Sequence, residues 1–160
     1  NIKTCILAGK PVVSGTTGWI ENLPEVKTLV NEKNGAFFYA SNYSLGVNIF
    51  FAVNAYLAKI MNHFPAYDVN VHEIHHTQKL DAPSGTAITI AQQIVAEVDR
   101  KTGYGLDATA NETLKITAER LDPAPGTHHV KYSSTIDDIE IIHTAHSRMG
   151  FATGAVLAEE

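Results

Sequence analysis

Two short apolar strands separated by one helix, all within the first forty-odd residues, set the tightest limit on how this chain can fold. Lys10-Pro11-Val12-Val13-Ser14 reads as a short buried strand, following a stretch, Asn1 to Ala8, that looks like the end of a helix with Gly9 as its C-cap. Glu21 to Asn34 is charged on one side with Val26, Leu29 and Val30 on the other, a helix closed by Asn34-Gly35. Ala36-Phe37-Phe38-Tyr39-Ala40 is the second apolar strand. Strand, helix, strand with short loops is the grammar of a parallel α/β sheet, and two strands cannot make such a sheet alone. Residues 1–43 are therefore expected to be the tail of a larger nucleotide-binding-type domain whose first half precedes Asn1. The first strand ends in Gly15-Thr16-Thr17-Gly18, small residues that let backbone amides approach a ligand.

The pattern changes after Tyr43. Ser44 is a fair N-cap for a long helix with Val47, Phe50, Phe51, Leu57, Ile60, Met61 and Phe64 near helical spacing, stopped by Pro65. Tyr67, Val69 and Val71 alternate with Asp68, Asn70 and His72, the period of a strand with two unlike faces. A polar loop from His75 to Pro83 leads to a helix from Ser84 to about Lys101. Strands are expected around Leu114–Ala118, His128–Ser134 and Ile139–Ala145, and a helical segment from about Phe151. The predicted class is α+β: an open mixed or antiparallel sheet covered by two long helices, attached to the remnant of a Rossmann-type parallel domain.

Composition narrows the function classes. With 160 residues and 44% of them apolar the chain can bury a core unaided, since a chain of this size buries about 68–70% of its unfolded surface. A net charge of −5 argues against non-specific nucleic-acid binding. The single cysteine, Cys5, excludes an internal disulfide framework and a zinc site built from several thiolates. No apolar run is long enough to span a bilayer, and the start shows no signal-peptide pattern. The expectation is a soluble protein of a reducing compartment.

Several motifs are decoys. His72-Glu73-Ile74-His75-His76 matches H-E-x-x-H, whose zinc chemistry needs both histidines on one face of a helix. Here the segment continues a strand-period run with no third ligand at a familiar spacing, so no metal is expected. Gly103-Tyr104-Gly105-Leu106-Asp107-Ala108 matches G-x-G-x-x-A but follows a helix instead of a strand, and a helix C-cap with a loop suits it better. Asn42-Tyr43-Ser44 and Asn111-Glu112-Thr113 are glycosylation sequons that mean nothing without secretion.

The informative stretch runs from Glu73 to Thr86. His72, His75, His76 and Lys79 fall within eight positions, with Glu73 the opposing carboxylate among them. The loop then feeds a helix N-terminus at Ser84-Gly85-Thr86, where free amides and the helix dipole favour an anion. Together these describe a pocket for a small, multiply anionic molecule, in which a histidine can act as general acid near neutral pH and a lysine can fix a carboxylate or donate a proton. A solvated basic loop with an ordinary N-cap fits the same residues.

His75-His76-Thr77-Gln78-Lys79-Leu80-Asp81-Ala82-Pro83-Ser84-Gly85-Thr86 closely resembles the signature H-H-x-x-K-x-D-A-P-S-G-T of bacterial dihydrodipicolinate reductases, also called 4-hydroxy-tetrahydrodipicolinate reductases. Gly15-Thr16-Thr17-Gly18, Ala40-Ser41-Asn42-Tyr43-Ser44-Leu45-Gly46-Val47-Asn48, and His143-Thr144-Ala145-His146-Ser147-Arg148 with Phe151-Ala152 look like the same family in the same order. The resemblance implies NADH- or NADPH-dependent reduction of 4-hydroxy-tetrahydrodipicolinate in the diaminopimelate route to lysine, in the cytoplasm. By position it makes His75 the catalytic acid/base and Lys79 the proton donor, with His76, Gly85 and Thr86 holding the substrate dicarboxylate. Gly15, Thr16, Thr17, Ala40, Ser41, Asn42 and Tyr43 would line the nicotinamide end of the cofactor. The family fold joins a Rossmann domain to a substrate domain whose sheets pair into a homotetramer. Residues 1–43 would then close the dinucleotide-binding domain, 44–148 form the substrate and oligomerisation domain, and 149–160 return toward the first.

Tyr43 stands where the family often has Phe, and its ring could pack on a nicotinamide or fill core. Arg148 could reach a carboxylate or cap a strand end. His128 and His129 are expected on a strand edge, with no role. The family's opening strand and G-x-G-x-x-G turn are not in this sequence. The alternative is a non-catalytic dicarboxylate-binding or oligomerisation module.

Overall fold

The computed structural model describes residues 1–16 and 18–158. Its first part follows the strand–helix–strand grammar: α1 (Ile2–Leu7), β1 (Val12–Ser14), a 3₁₀ turn at Ile20–Asn22 running into α2 (Leu23–Glu32), and β2 (Phe37–Tyr39). The strands pair in parallel with Val12 opposite Phe37. Gly9 and Asn34, at φ 67° and 49°, turn the chain out of α1 and α2, and this left-handed region is one that glycine and asparagine enter at low cost. Ile6 and Val26 are buried where the two helices meet.

The second part is a five-stranded sheet with helices on one face. Its strands are β3 (Asp68–His75), β4 (Gly103–Leu106), β5 (Thr113–Arg120), β6 (Gly126–Ser133) and β7 (Asp138–Ala145), in the order β4-β5-β3-β6-β7. β4, β5 and β3 are mutually parallel, whereas β3, β6 and β7 alternate in direction. The sheet is mixed and the class is α+β. Two long helices, α3 (Leu45–Met61) and α4 (Gly85–Glu97), pack on each other, and α5 (Met149–Leu157) follows β7.

Strand alternation decides which face is covered. Val69, Val71, Leu114, Ile116, Val130 and Tyr132 point toward the helices and meet Ile90, Ala91 and Ile94 of α4 and Val47, Phe50 and Ala58 of α3. Each fully buried aliphatic side chain there is worth about 1.5–3 kcal/mol of transfer free energy. The intervening positions carry Asn70, His72, Lys115, Thr117, His129 and Lys131, which tolerate the uncovered face. Among the described residues no helix is long and apolar enough to cross a membrane.

The structure departs from expectation in three places. Gly103–Leu106 forms an edge strand on β5 where a loop was expected; two glycines hide its period, and its partner lies ten residues on. β3 runs through His75 instead of giving way to loop there. β6 lies between β3 and β7, so His128 and His129 belong to an interior strand, and the expected strand-edge position is incorrect. His128 is buried.

Candidate active site

Four more residues of period-two alternation after Val69 and Val71 put Glu73 and His75 on the covered side of the sheet. A carboxylate cannot sit there unpaired. Glu73 is fully buried, and its oxygens accept hydrogen bonds from the Ser84 amide at 3.1 and 3.2 Å and from Arg120 Nη2 at 3.1 Å. His75 Nδ1 lies 3.5 Å from Glu73 Oε2, and His128 Nε2 lies 3.8 Å from the same oxygen. Ser84 caps α4, its Oγ accepting from the Ala87 amide at 3.1 Å, with His128 Nε2 at 3.3 Å. The buried carboxylate thus anchors the start of α4 to the end of β3.

Burial holds His75 below the ordinary histidine range; Glu73 opposes that shift, and the Lys79 and Arg120 cations add to it. Burial, reinforced by His75 and His143, pushes His128 down to about 3. Two neutral imidazoles therefore flank one carboxylate, their rings edge to face with centroids 5.1 Å apart. Glu73, His75 and His128 offer ligand atoms within 4.8 Å of one another, but the Arg120 guanidinium already supplies the positive charge. The H-E-x-x-H histidines are likewise no ligand pair: His72 faces the other side of the sheet, its Nδ1 2.7 Å from Thr117 Oγ1.

In front of His75 opens a cavity of about 720 Å³, within the usual range for small-molecule sites. The sheet and α4 side supplies His75, His76, Lys79, Ser84, Gly85 and Thr86. Val13, Gly15, Thr16, Ser41, Asn42 and Tyr43 face them, and Arg148, Phe151, Ala152 and Ala155 close a third side. Gly85 and Thr86 occupy the first turn of α4, where amide donors lack intrahelical partners. Lys79 Nζ lies 2.8 and 2.9 Å from the two Asp81 oxygens. Partial burial alone would raise the Asp81 carboxyl, yet the Lys79 hydrogen bonds hold it below its usual range.

The rim residues have their own geometry. Asn42 Nδ2 donates to Thr86 Oγ1 at 3.1 Å while its Oδ1 accepts from the Ser44 amide at 2.8 Å, so this side chain ties α4 to the start of α3. Ser41 Oγ lies 3.2 Å from Thr89 Oγ1. The Tyr43 hydroxyl reaches the Ser14 carbonyl at 3.0 Å and the Phe38 carbonyl at 3.2 Å, across the ends of β1 and β2. Its ring lies so near Gly15 that an added Cβ there would be 3.2 Å from it. Ala40 lies on a neighbouring cavity of about 610 Å³ instead, beside Tyr39, Ile88 and Gln92. Thr17 falls outside the described residues. Arg148 precedes α5, makes no capping bond, and faces the cavity.

Sequence reasoning missed Arg120, His128 and the depth of Glu73. Alternation through His75 was the available signal for Glu73. Arg120 and His128 come from strands distant in sequence.

Comparison with known proteins agrees with this geometry. A protein-family model described as dihydrodipicolinate reductase, C-terminus, matches residues 46–160. The chain belongs to the dihydrodipicolinate reductase family. It is 51% identical to a 4-hydroxy-tetrahydrodipicolinate reductase of Christiangramia forsetii, over 100% of this chain and 67% of that protein. A protein of the same name from Methanocaldococcus jannaschii is 36% identical, over 99% of this chain and 59% of the relative. The chain therefore spans about three fifths to two thirds of these reductases. Among solved structures, dipicolinate-bound dihydrodipicolinate reductase from Paenisporosarcina sp. TG-14 superposes with a TM-score of 0.66 at 25% identity, covering 98% of this chain and 61% of that one.

Proposed function

We propose that this chain carries the substrate-binding and proton-donating part of an NADH- or NADPH-dependent reductase acting on 4-hydroxy-tetrahydrodipicolinate and yielding tetrahydrodipicolinate, in the cytoplasmic diaminopimelate route to lysine. The observation that carries this is the convergence of His75, His76, Lys79, Gly85 and Thr86 on one cavity with Gly15, Thr16 and Ser41 opposite. Residues 1–43 would complete a dinucleotide-binding domain, 44–148 form the substrate domain, and 149–160 return toward the first. The uncovered face of the sheet is the surface through which four copies would associate.

The substrate carries two carboxylates. Amides at the start of α4 take one, with the Thr86 hydroxyl held ready by Asn42, and His76 and Lys79 take the other. The 4-hydroxyl leaves as water, hydride adds to the conjugated imine that results, and the negative charge this leaves on the substrate must be protonated nearby. Free His75 is neutral at pH 7, since burial depresses it. A bound dianion compensates the Lys79 charge that helps depress it, which favours the protonated imidazole that delivers the proton. Glu73 on the Nδ1 side steadies the resulting imidazolium.

The rim opposite suits a nicotinamide. It is uncharged, it is built from small residues at Gly15, Thr16 and Ser41, and Tyr43 is stapled behind Gly15 with no side chain between. When bound, the reduced cofactor supplies the hydride. Val13, Gly15, Thr16 and Ser41 would hold the ring end, and α5 would exclude water from that side.

The test is the full-length protein with NADH or NADPH. Substrate-dependent loss of nicotinamide absorbance is expected, together with a rise in Tm on adding dipicolinate, as any ligand specific for the native state produces. A pure protein that does neither refutes the proposal. Dipicolinate stabilisation without cofactor oxidation would leave only a dicarboxylate-binding module.

A further inference from the structure

Arg120 is the last residue of β5 and stands opposite His75 in the parallel pairing with β3. Its guanidinium reaches in several directions. Nη2 donates to Glu73 Oε1 at 3.1 Å and to the Asp81 carbonyl at 2.6 Å, and Nε donates to the Lys79 carbonyl at 3.3 Å. Nη1 donates to the neighbouring Glu119 carbonyl at 2.8 Å.

The segment between β3 and α4 needs such a tie. Among the described residues its own backbone bonds itself once, from the Lys79 amide to the His76 carbonyl at 3.1 Å. Asp122 holds its beginning through the Thr77 amide and hydroxyl. Glu73 holds its end through the Ser84 amide. Arg120 holds the middle, where Lys79 stands.

We propose that Arg120 is a positioning residue of the site: its one guanidinium joins the buried Glu73 beneath His75 to the loop that carries Lys79, and so fixes the proton-delivering His75 and the carboxylate-binding Lys79 relative to each other. This rests on the reductase reading above. A lysine at this position would keep the charge but lose the planar fork, because an ammonium with three donors on a flexible stem cannot satisfy acceptors spread over four residues. An uncharged residue would leave Glu73 buried without its counter-charge. The charged and titratable groups facing His75 are Glu73 on its own strand, Lys79 and Asp81 of the loop, Arg120 of β5 and His128 of β6. Removing the Arg120 cation from that set makes His75 easier to protonate.

The experiment compares wild type, Arg120→Lys and Arg120→Gln in the full-length enzyme, with Tm recorded for each. Arg120→Lys is expected to lower kcat about 10²-fold, a loss that displacing catalytic groups by about 1 Å can cause, while leaving the alkaline limb of the pH–rate profile, where His75 loses its proton, in place. Arg120→Gln is expected to lose at least as much and to move that limb to higher pH. A role confined to stability would lower Tm and leave kcat and the limb alone, and that result overturns the proposal. If Arg120→Gln does not fold, wild-type kcat in Arg120→Lys suffices to overturn it. Should the wild type prove inactive, the reductase reading fails by itself. Dipicolinate titration calorimetry then decides about Arg120: about tenfold weaker binding by Arg120→Lys supports positioning, and equal binding refutes it.

Discussion

His128 makes the stability of this fold depend on pH in a way that can be isolated. Burial, with His75 and His143 adding to it, takes its imidazole from 6.5 to about 3. Between those values the unfolded chain binds a proton that the native chain refuses. The contribution is thus complete above about pH 6.5 and is lost as pH falls toward 3, by about 1.4 kcal/mol per pH unit. At pH 5 the loss amounts to about 2 kcal/mol. His128→Gln removes this titration and disturbs the 3.3 Å contact with Ser84 Oγ, worth about 1 kcal/mol. The variant should therefore be about 1 kcal/mol less stable than wild type at pH 7 and about 1 kcal/mol more stable at pH 5, with the curves crossing near pH ~6. His75 and His143, also held down by burial, slope both curves in the same sense. Urea unfolding of full-length protein at several pH values measures it. Parallel curves that never cross would show that His128 protonates freely in the native state and that its burial has been misjudged.

Three further substitutions probe the site. His75→Gln should lower kcat of the full-length enzyme by ~10²–10⁴, the range for a lost general acid; unchanged turnover removes His75 from that role. Lys79→Ala should weaken dipicolinate binding and slow turnover together, measured by calorimetry and steady-state kinetics, and wild-type values for both would clear the lysine of either task. Gly154→Ala would drive a methyl into the Tyr43 carbonyl oxygen, a backbone clash that no rotamer relieves. α5 has no buried residue, so its undocking relieves the clash at a global cost expected below ~1 kcal/mol, less than the 1–3 kcal/mol typical of overpacking in a core. Dipicolinate affinity should fall about tenfold while urea stability barely moves; intact affinity would mean that α5 does not wall the cavity.

Periodicity made much of this molecule legible. The β1–α2–β2 crossover, the stripes of α3 and α4, and the alternation in β3, β6 and β7 all follow from local apolar spacing, which burial rewards directly. The His75–Thr86 run was legible as chemistry because its residue types are unusual together. What stayed hidden depends on neighbours remote in sequence. β4 has two glycines in four residues and exists because β5 offers it a ladder. His128, expected on a strand edge, is interior because β7 folds back onto β6. Asn42, expected among the cofactor contacts, lines the cavity and also bridges Thr86 and the Ser44 amide.

Glu73 shows why those hidden partners are functional ones. Alternation places it in line with Val69 and Val71, so folding must bury a carboxylate or supply partners for it. The partners supplied are the first amide before α4, a guanidinium from β5 and two imidazoles. Each also bears on the cavity: the amide aims the helix end proposed to take a carboxylate, the guanidinium holds the Lys79 loop, and one imidazole is the proposed acid. One charge that would destabilise an ordinary core thereby sets the relative positions of three elements. Glu73→Leu would remove the carboxylate's desolvation cost but leave the Ser84 amide and the Arg120 guanidinium without their acceptor, so urea stability and kcat should fall together, and wild-type kcat in that variant would show that the alignment does not depend on Glu73.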